Sequence, residues 1–237
     1  NSIPIESVMA KVWNNKMFKQ IDKEVNAASA KLAEERGPCP DAADYGIMER
    51  FSNKTAIAPT ASISIICGGA SPGIEPVAAN SYTHKTLSGS FNVRNKYLKQ
   101  ILAKYEKDTD EVWSSITTNQ GSISHLDFLS DLEKDVFKTA FEIDQRWLID
   151  HSADRTPYVS QAQSLNVFLP ADVHKKDLHQ IHFQAWKKGL KSLYYCRSKS
   201  IQRAEVINQT VANAEKNQPA STNNGEATNY EECLSCQ

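Results

Sequence analysis

An α/β fold with a parallel sheet is predicted for this chain by three consecutive signals in its C-terminal half. Residues 159–169 read as extended and are closed by Pro170; residues 173–188 read as a helix; residues 190–196 read as a second short strand. Strand, helix and strand at this spacing form a βαβ unit, whose two strands lie parallel.

Taken from the N-terminus, the first element is a helix over about residues 4–32. Val8, Val12, Met17, Ile21, Val25 and Ala28 recur at three-to-five spacing there, the mark of an amphipathic helix. Gly37, Pro38 and Pro40 end it, because neither residue type continues a helix. Residues 57–67 are β-branched and helix-poor, and Gly68 and Gly69 stop them, which predicts a buried strand or turn-strand unit. Helices are expected over 92–105 and 131–150. In the second, Leu132, Val136, Phe137, Ala140, Ile143, Trp147 and Leu148 hold one stripe, core-facing by default. Within the βαβ unit, Asp172 is placed to cap the helix, Lys187 and Lys188 sit at its negative end, and Gly189 lies just beyond. From Ala212 to Glu232 there is no Val, Ile, Leu, Met, Phe or Trp, so the composition predicts a disordered arm over about 207–237.

The averages exclude several classes. At 237 residues the chain has ample material for a core. Its longest strongly apolar run, residues 63–67, is far short of the ~20 residues a membrane helix needs. The first thirty residues are studded with charges, unlike a secretory signal, so a cytoplasmic protein is expected. Lys+Arg 27 against Asp+Glu 28 supplies no field for generic attraction to nucleic acid or membrane. Five cysteines on a chain this long do not make a disulfide scaffold, so a cysteine with a special job should be reactive. Residue 1 is Asn rather than Met, which suggests processing, a tag, or a piece of something longer.

Three constellations carry chemistry. Cys233 and Cys236 form a Cys-x-x-Cys pair at the end of the polar arm. Two such thiols exchange disulfides, and an arm of about 25 to 30 residues has a root-mean-square reach of roughly 25–33 Å. The pair is equally half a zinc knuckle, which would need ligands from distant residues or another chain. Tyr194 and Tyr195 are adjacent phenols; they either pack on opposite faces of a strand or use the ability of tyrosine to lose an electron and a proton together. The turn Pro59, Thr60, Ala61, Ser62, Ile63, followed by Gly68 and Gly69, either offers amides and hydroxyls to a phosphate or is a Ser-rich buried strand. Neither standard Gly-rich nucleotide fingerprint is present.

Four motifs in order carry a resemblance: Ala58-Pro59-Thr60-Ala61-Ser62 running into Gly73-Ile74-Glu75-Pro76, Ser160-Gln161-Ala162-Gln163-Ser164-Leu165-Asn166, Gly189-Leu190-Lys191-Ser192-Leu193-Tyr194-Tyr195-Cys196, and the terminal cysteine pair. With them the chain resembles the C-terminal part of the large, catalytic subunit of class I ribonucleotide reductase, which converts ribonucleotides to deoxyribonucleotides. The resemblance implies the C-terminal half of a ten-stranded α/β barrel over residues 1–206 and a redox tail over 207–237. It implies that Pro59, Thr60, Ala61, Ser62 and Ile63 bind the substrate's phosphates. Tyr194 and Tyr195 match the stacked pair relaying a radical from the small subunit's metal site to the active-site cysteine, and Cys233 and Cys236 match the dithiol shuttle reduced by thioredoxin or glutaredoxin. The helix over 173–188 matches one that helps dock the small subunit's C-terminal peptide.

The same resemblance implies that this chain binds no cofactor or metal itself. The metal or radical cofactor belongs to the small subunit, and ATP and dNTP effectors bind regions outside the sequence. The radical-bearing cysteine of the family lies in an Asn-x-Cys-x-Glu pattern, and none of Cys39, Cys67, Cys196, Cys233 or Cys236 has Glu two residues later. An N-terminal half of the catalytic subunit is therefore an expected partner, without which no ribonucleotide is reduced. Two other readings stand beside this one: a fragment of an adenosylcobalamin-dependent reductase, and a non-catalytic redox-carrier or interaction domain with a dithiol arm.

Overall fold

The computed structural model describes residues 1–86 and 89–198. In order these form α1 (Val8–Arg36), α2 (Pro40–Ala43), α3 (Ala61–Ile66), β1 (Ser81–Thr86), β2 (Gly89–Arg94), α4 (Lys96–Lys104), α5 (Asp110–Thr118), α6 (Asp131–Val136), α7 (Gln145–Arg155), β3 (Val167–Leu169), α8 (Lys175–Lys187) and β4 (Cys196–Ser198), with a 3-10 turn over Thr156–Tyr158.

The βαβ unit forms: β3 pairs parallel with β4, Val167 opposite Cys196, and α8 is the crossover between them. The second strand starts later than the predicted 190–196, at Cys196. Its lead-in already joins the ladder, with Tyr194 N–H donating to Leu165 O and Val167 N–H to Tyr195 O, both at 2.9 Å. Gly189 adopts the left-handed φ of +77° that a residue just past a helix end requires. The cap at the other end is corrected from Asp172 to His174, whose ring Nδ1 accepts from Lys176 N–H at 3.1 Å. A turn from Val173 N–H to Pro170 O delays the helix by that margin.

Three further expectations are corrected. Residues 57–67 are not a strand. Ile57 makes one parallel bridge to Gln163, and Pro59 and Thr60 then turn the chain into the short helix α3. Thr60 anchors that turn through its N–H and its Oγ1, both donating to Pro72 O, and the side chain of Ser64 bonds back to Ala61 O. These local bonds outweigh the β preference of the isoleucines, which are left exposed, Ile66 at 85%. The helix expected over 92–105 begins at Lys96, because residues up to Arg94 belong to the hairpin β1–β2 and Asn95 then caps α4 through Tyr97 N–H and Leu98 N–H. The helix expected over 131–150 is two: the capping box of Ser130 and Glu133 starts α6, Phe137 ends it, and Asp144 caps α7.

Two apolar clusters form the interior. One gathers Leu98, Leu102, Trp113 and Ile116 of α4 and α5 with Ile123, Leu126 and Leu129. The other joins α7, β3 and α8 through Leu148, Ile149, Leu165, Val167, Ile181 and Ala185. Helix α1 lies against α7 and inverts the usual arrangement, burying Asn14, Ser29 and Ala33 while Val8, Val12, Met17 and Ile21 of its apolar stripe face outward. Among the described residues no helix is long and apolar enough to cross a membrane.

Candidate functional site

Residues 160–166 form the centre of the site, because the segment leading into one candidate region and the backbone of the other are hydrogen-bonded to them. On one side Gln161 N–H donates to Thr55 O, Ile57 N–H to Ala162 O and Ser164 N–H to Ile57 O, so the turn at Pro59–Ile63 leaves directly from this pairing. On the other, Leu165 and Val167 bond the backbone of Tyr194 and Tyr195. Lys191 ties the two strands of chain together: its Nζ donates to the carbonyls of Val159 (2.9 Å), Ser160 (2.6 Å) and Gln161 (3.4 Å).

Side chains of the same segment reach into the interior. Gln163 Oε1 accepts from Ser152 Oγ and from Arg155 Nε, and its Nε2 donates to Ser152 O and Thr156 Oγ1. Arg155 is buried, which holds its guanidinium down to about 10, and its Nη1 reaches Asn14 Oδ1 on α1. Asn166 Nδ2 donates to Glu75 Oε1, while its Oδ1 accepts from Tyr195 N–H at 3.3 Å. Glu75 is itself buried, and burial pushes its carboxyl above the usual range.

The tyrosine rings do not point to opposite faces of a strand. They lie against one another with centroids 4.1 Å apart and planes inclined at 50°, and they are exposed to 43% and 47%. The Arg197 guanidinium stands 5.4 Å from the Tyr195 ring centroid. At the other candidate region, the first intrahelical bond of α3 runs from Ser64 N–H to Thr60 O at 2.7 Å. The N–H groups of Ala61, Ser62 and Ile63 thus precede any acceptor within their own helix, the arrangement that suits an anion. Nearby, α8 buries Ile181 and Ala185 and presents Phe183 and Trp186 outward, their rings 5.5 Å apart and Trp186 73% exposed. One side of α8 is therefore packed, while its aromatic pair stands at the surface.

Cys233 and Cys236 lie outside the described residues. Cys39, Cys67 and Cys196 are free thiols, and burial raises that of Cys196. Among the described residues no three His, Cys, Asp or Glu side chains gather as metal ligands would. Sequence reasoning marked the motifs containing Glu75, Gln163 and Asn166 but gave these three side chains no role. The available signal was a carboxylate set between Ile74 and Pro76 and amides spaced through an otherwise apolar extended segment.

Residues 40–196 match the family model described as ribonucleotide reductase, barrel domain. The chain is 46% identical over 210 residues to the ribonucleoside-diphosphate reductase large subunit of Invertebrate iridescent virus 6, covering 87% of this chain and 22% of that protein. It is 42% identical over 216 residues to the large subunit of Invertebrate iridescent virus 3, covering 90% and 34%. Among solved structures, the Actinobacillus ureae class Id ribonucleotide reductase alpha subunit superposes with a TM-score of 0.78 at 36% identity, over 86% of this chain and 37% of that one. The chain thus spans between about a fifth and two-fifths of the length of these relatives.

Proposed function

This chain belongs to the ribonucleotide reductase family, and from that premise we propose that it forms part of the large, catalytic subunit of a class I ribonucleoside-diphosphate reductase. In this reading residues 1–206 supply the C-terminal half of the catalytic α/β barrel, ten-stranded when complete, and residues 207–237 carry the redox arm. The N-terminal half supplies the radical-bearing cysteine, the reducing cysteine pair and the effector sites. The setting is the cytoplasm.

The reaction replaces the 2′-hydroxyl of a ribonucleotide with hydrogen. Water leaves, and a cysteine pair gives two electrons and becomes a disulfide. Cys233 and Cys236 return that disulfide to dithiol by thiol exchange and are then reduced by thioredoxin or glutaredoxin. The amides and hydroxyls of Pro59–Ile63 hold the substrate's phosphates, and the small subunit's C-terminal peptide docks on the outer face of α8, where Phe183 and Trp186 stand exposed. The metal or radical cofactor sits in that small subunit, and no residue of this chain is assigned to hold it.

The observation that carries the reading is the contact of the Tyr194 and Tyr195 rings, 4.1 Å between centroids, at the surface beside β4. A phenol that loses one electron becomes a strong acid and sheds its proton. Moving both together leaves each ring neutral before and after the hop, which a phenylalanine lacks the hydroxyl to do. In the complete enzyme, Tyr194→Phe or Tyr195→Phe should abolish turnover while nucleotide binding, measured by equilibrium dialysis, stays as in the wild type. Retained turnover in either variant overturns the relay. Cys233→Ser or Cys236→Ser should permit one turnover from pre-reduced enzyme and block repeated turnover with thioredoxin; equal loss of both would point to structural damage.

A further inference from the structure

Glu75 has a buried environment that its neighbours do not explain by packing alone. It is 4% exposed, and a carboxylate so placed is costly unless its charge is met. The turn that carries it is shaped around it: Ser71 Oγ donates to Glu75 O at 2.6 Å, and a Cβ on Gly73 would stand 2.6 Å from Glu75 Oε1, so residue 73 leaves room for the carboxylate by having no side chain. Oε2 carries no hydrogen bond at all. The guanidiniums of Arg155 and Arg197 attract it, but burial outweighs them and keeps its carboxyl above the usual range.

Two of its connections converge on one residue. Glu75 Oε1 accepts from the NH2 end of the Asn166 amide, which leaves the oxygen end for Tyr195 N–H. Arg197, drawn towards the same carboxylate, stands over the Tyr195 ring. Tyr195 thus meets Asn166 at its backbone and Arg197 at its ring, and Glu75 is hydrogen-bonded to the first and electrostatically attracted to the second.

We infer that Glu75 is a positioning residue for the tyrosine pair, fixing Tyr195 through Asn166 on the backbone side and Arg197 on the ring side. The inference rests on the relay reading given above. Glu75 touches neither substrate nor a reacting atom; its effect is on the distance and orientation across which the hop between rings takes place.

The test uses the full-length catalytic subunit with its radical-generating small subunit, and follows kcat, KM and the yield of oxidised analogue when a more easily oxidised aminotyrosine replaces Tyr195. Asn166→Asp sets two acceptor-only groups against each other. It should lower kcat and the analogue's radical yield by about ten-fold, the rate equivalent of one hydrogen bond to a charged group, with KM unchanged. Adding Glu75→Gln to it restores a donor facing an acceptor, while the new carboxylate at 166 still accepts from Tyr195 N–H. The double variant should recover most of the loss, a rescue that a merely structural role gives no reason to expect. Glu75→Gln alone keeps shape and the bond to Asn166 but gives up the attraction for Arg197, and should show a smaller fall in radical yield. Full activity in Asn166→Asp, an unrescued double variant, or a loss confined to KM overturns the inference. If Asn166→Asp does not fold, Glu75→Gln with wild-type kcat and radical yield overturns it by itself. Normal turnover of Tyr195→Phe would instead overturn the relay reading, which keeps the two failures apart.

Discussion

Around Trp113 the interior is almost wholly apolar, and the helices that enclose it, α4 and α5, turn their stripes inward as amphipathic helices do. Around Leu165 a comparable apolar cluster shares its space with Gln163, Arg155, Ser152 and Glu75, all buried, and its helix α8 keeps a second set of aromatics at the surface. The first region is built for stability alone. The second buries polar groups at a cost, among them the Glu75 that bonds Asn166 beside Tyr195, and leaves Phe183 and Trp186 uncovered. Where a fold breaks the burial rules twice in one place, function is the reason to look for first.

Substitutions in the two regions should therefore fail in different ways. Trp113→Ala removes a buried ring that also donates to Asp108 Oδ1 at 2.7 Å. It should lower the stability of the subunit by about 3–5 kcal/mol in denaturant titrations, yet leave kcat per folded molecule unchanged. Gln163→Leu keeps the volume but strands Ser152 Oγ and Arg155 Nε, costing roughly 1–3 kcal/mol. Because residue 163 is three positions from Asn166, it should also depress turnover. A Trp113 variant that loses turnover in step with stability, or a Gln163 variant that loses only stability, would erase the contrast. The smallest effect concerns His151, whose Nε2 bonds Ile5 O and whose burial pushes it below its ordinary value of 6.5. The unfolded chain then binds a proton that the folded one refuses, so stability falls as pH drops from 6.5 through the folded value. Denaturation midpoints taken between pH 8 and 5 should show this slope, shallower in His151→Gln.

The same contrast governed what could be read from sequence. The βαβ unit was legible because its punctuation is local: Pro170 closes one strand, Gly189 ends the helix, and an amphipathic stripe lies between them. The adjacent phenols were legible as a stacked pair through the resemblance, whereas strand alternation alone would have set them on opposite faces; the late start of β4 leaves them ahead of the strand. The hairpin β1–β2 went unread because residues 92–94 continue smoothly, in composition, into the helix that Asn95 starts. The break at 137–144 was hidden likewise by apolar residues that kept helical spacing across it. Glu75 was beyond reach for a different reason. Its partners lie 80 to 122 positions further along the chain at Arg155, Asn166 and Arg197, and nothing in a tetrapeptide announces that a carboxylate will be enclosed.

Lys191 acts on the site as a length gauge. Its ammonium is fixed on the carbonyls of Val159, Ser160 and Gln161, and only Ser192 and Leu193 separate it from the first tyrosine. The chain beyond it is consequently dealt out from a set origin, and that count decides which backbone amide meets Leu165 O and which meets Asn166. One residue removed between Lys191 and Tyr194 would bring Cys196 to the place of Tyr195 and Tyr195 to that of Tyr194. Two adjacent tyrosines thus owe their separate identities to a lysine placed just before them in the chain.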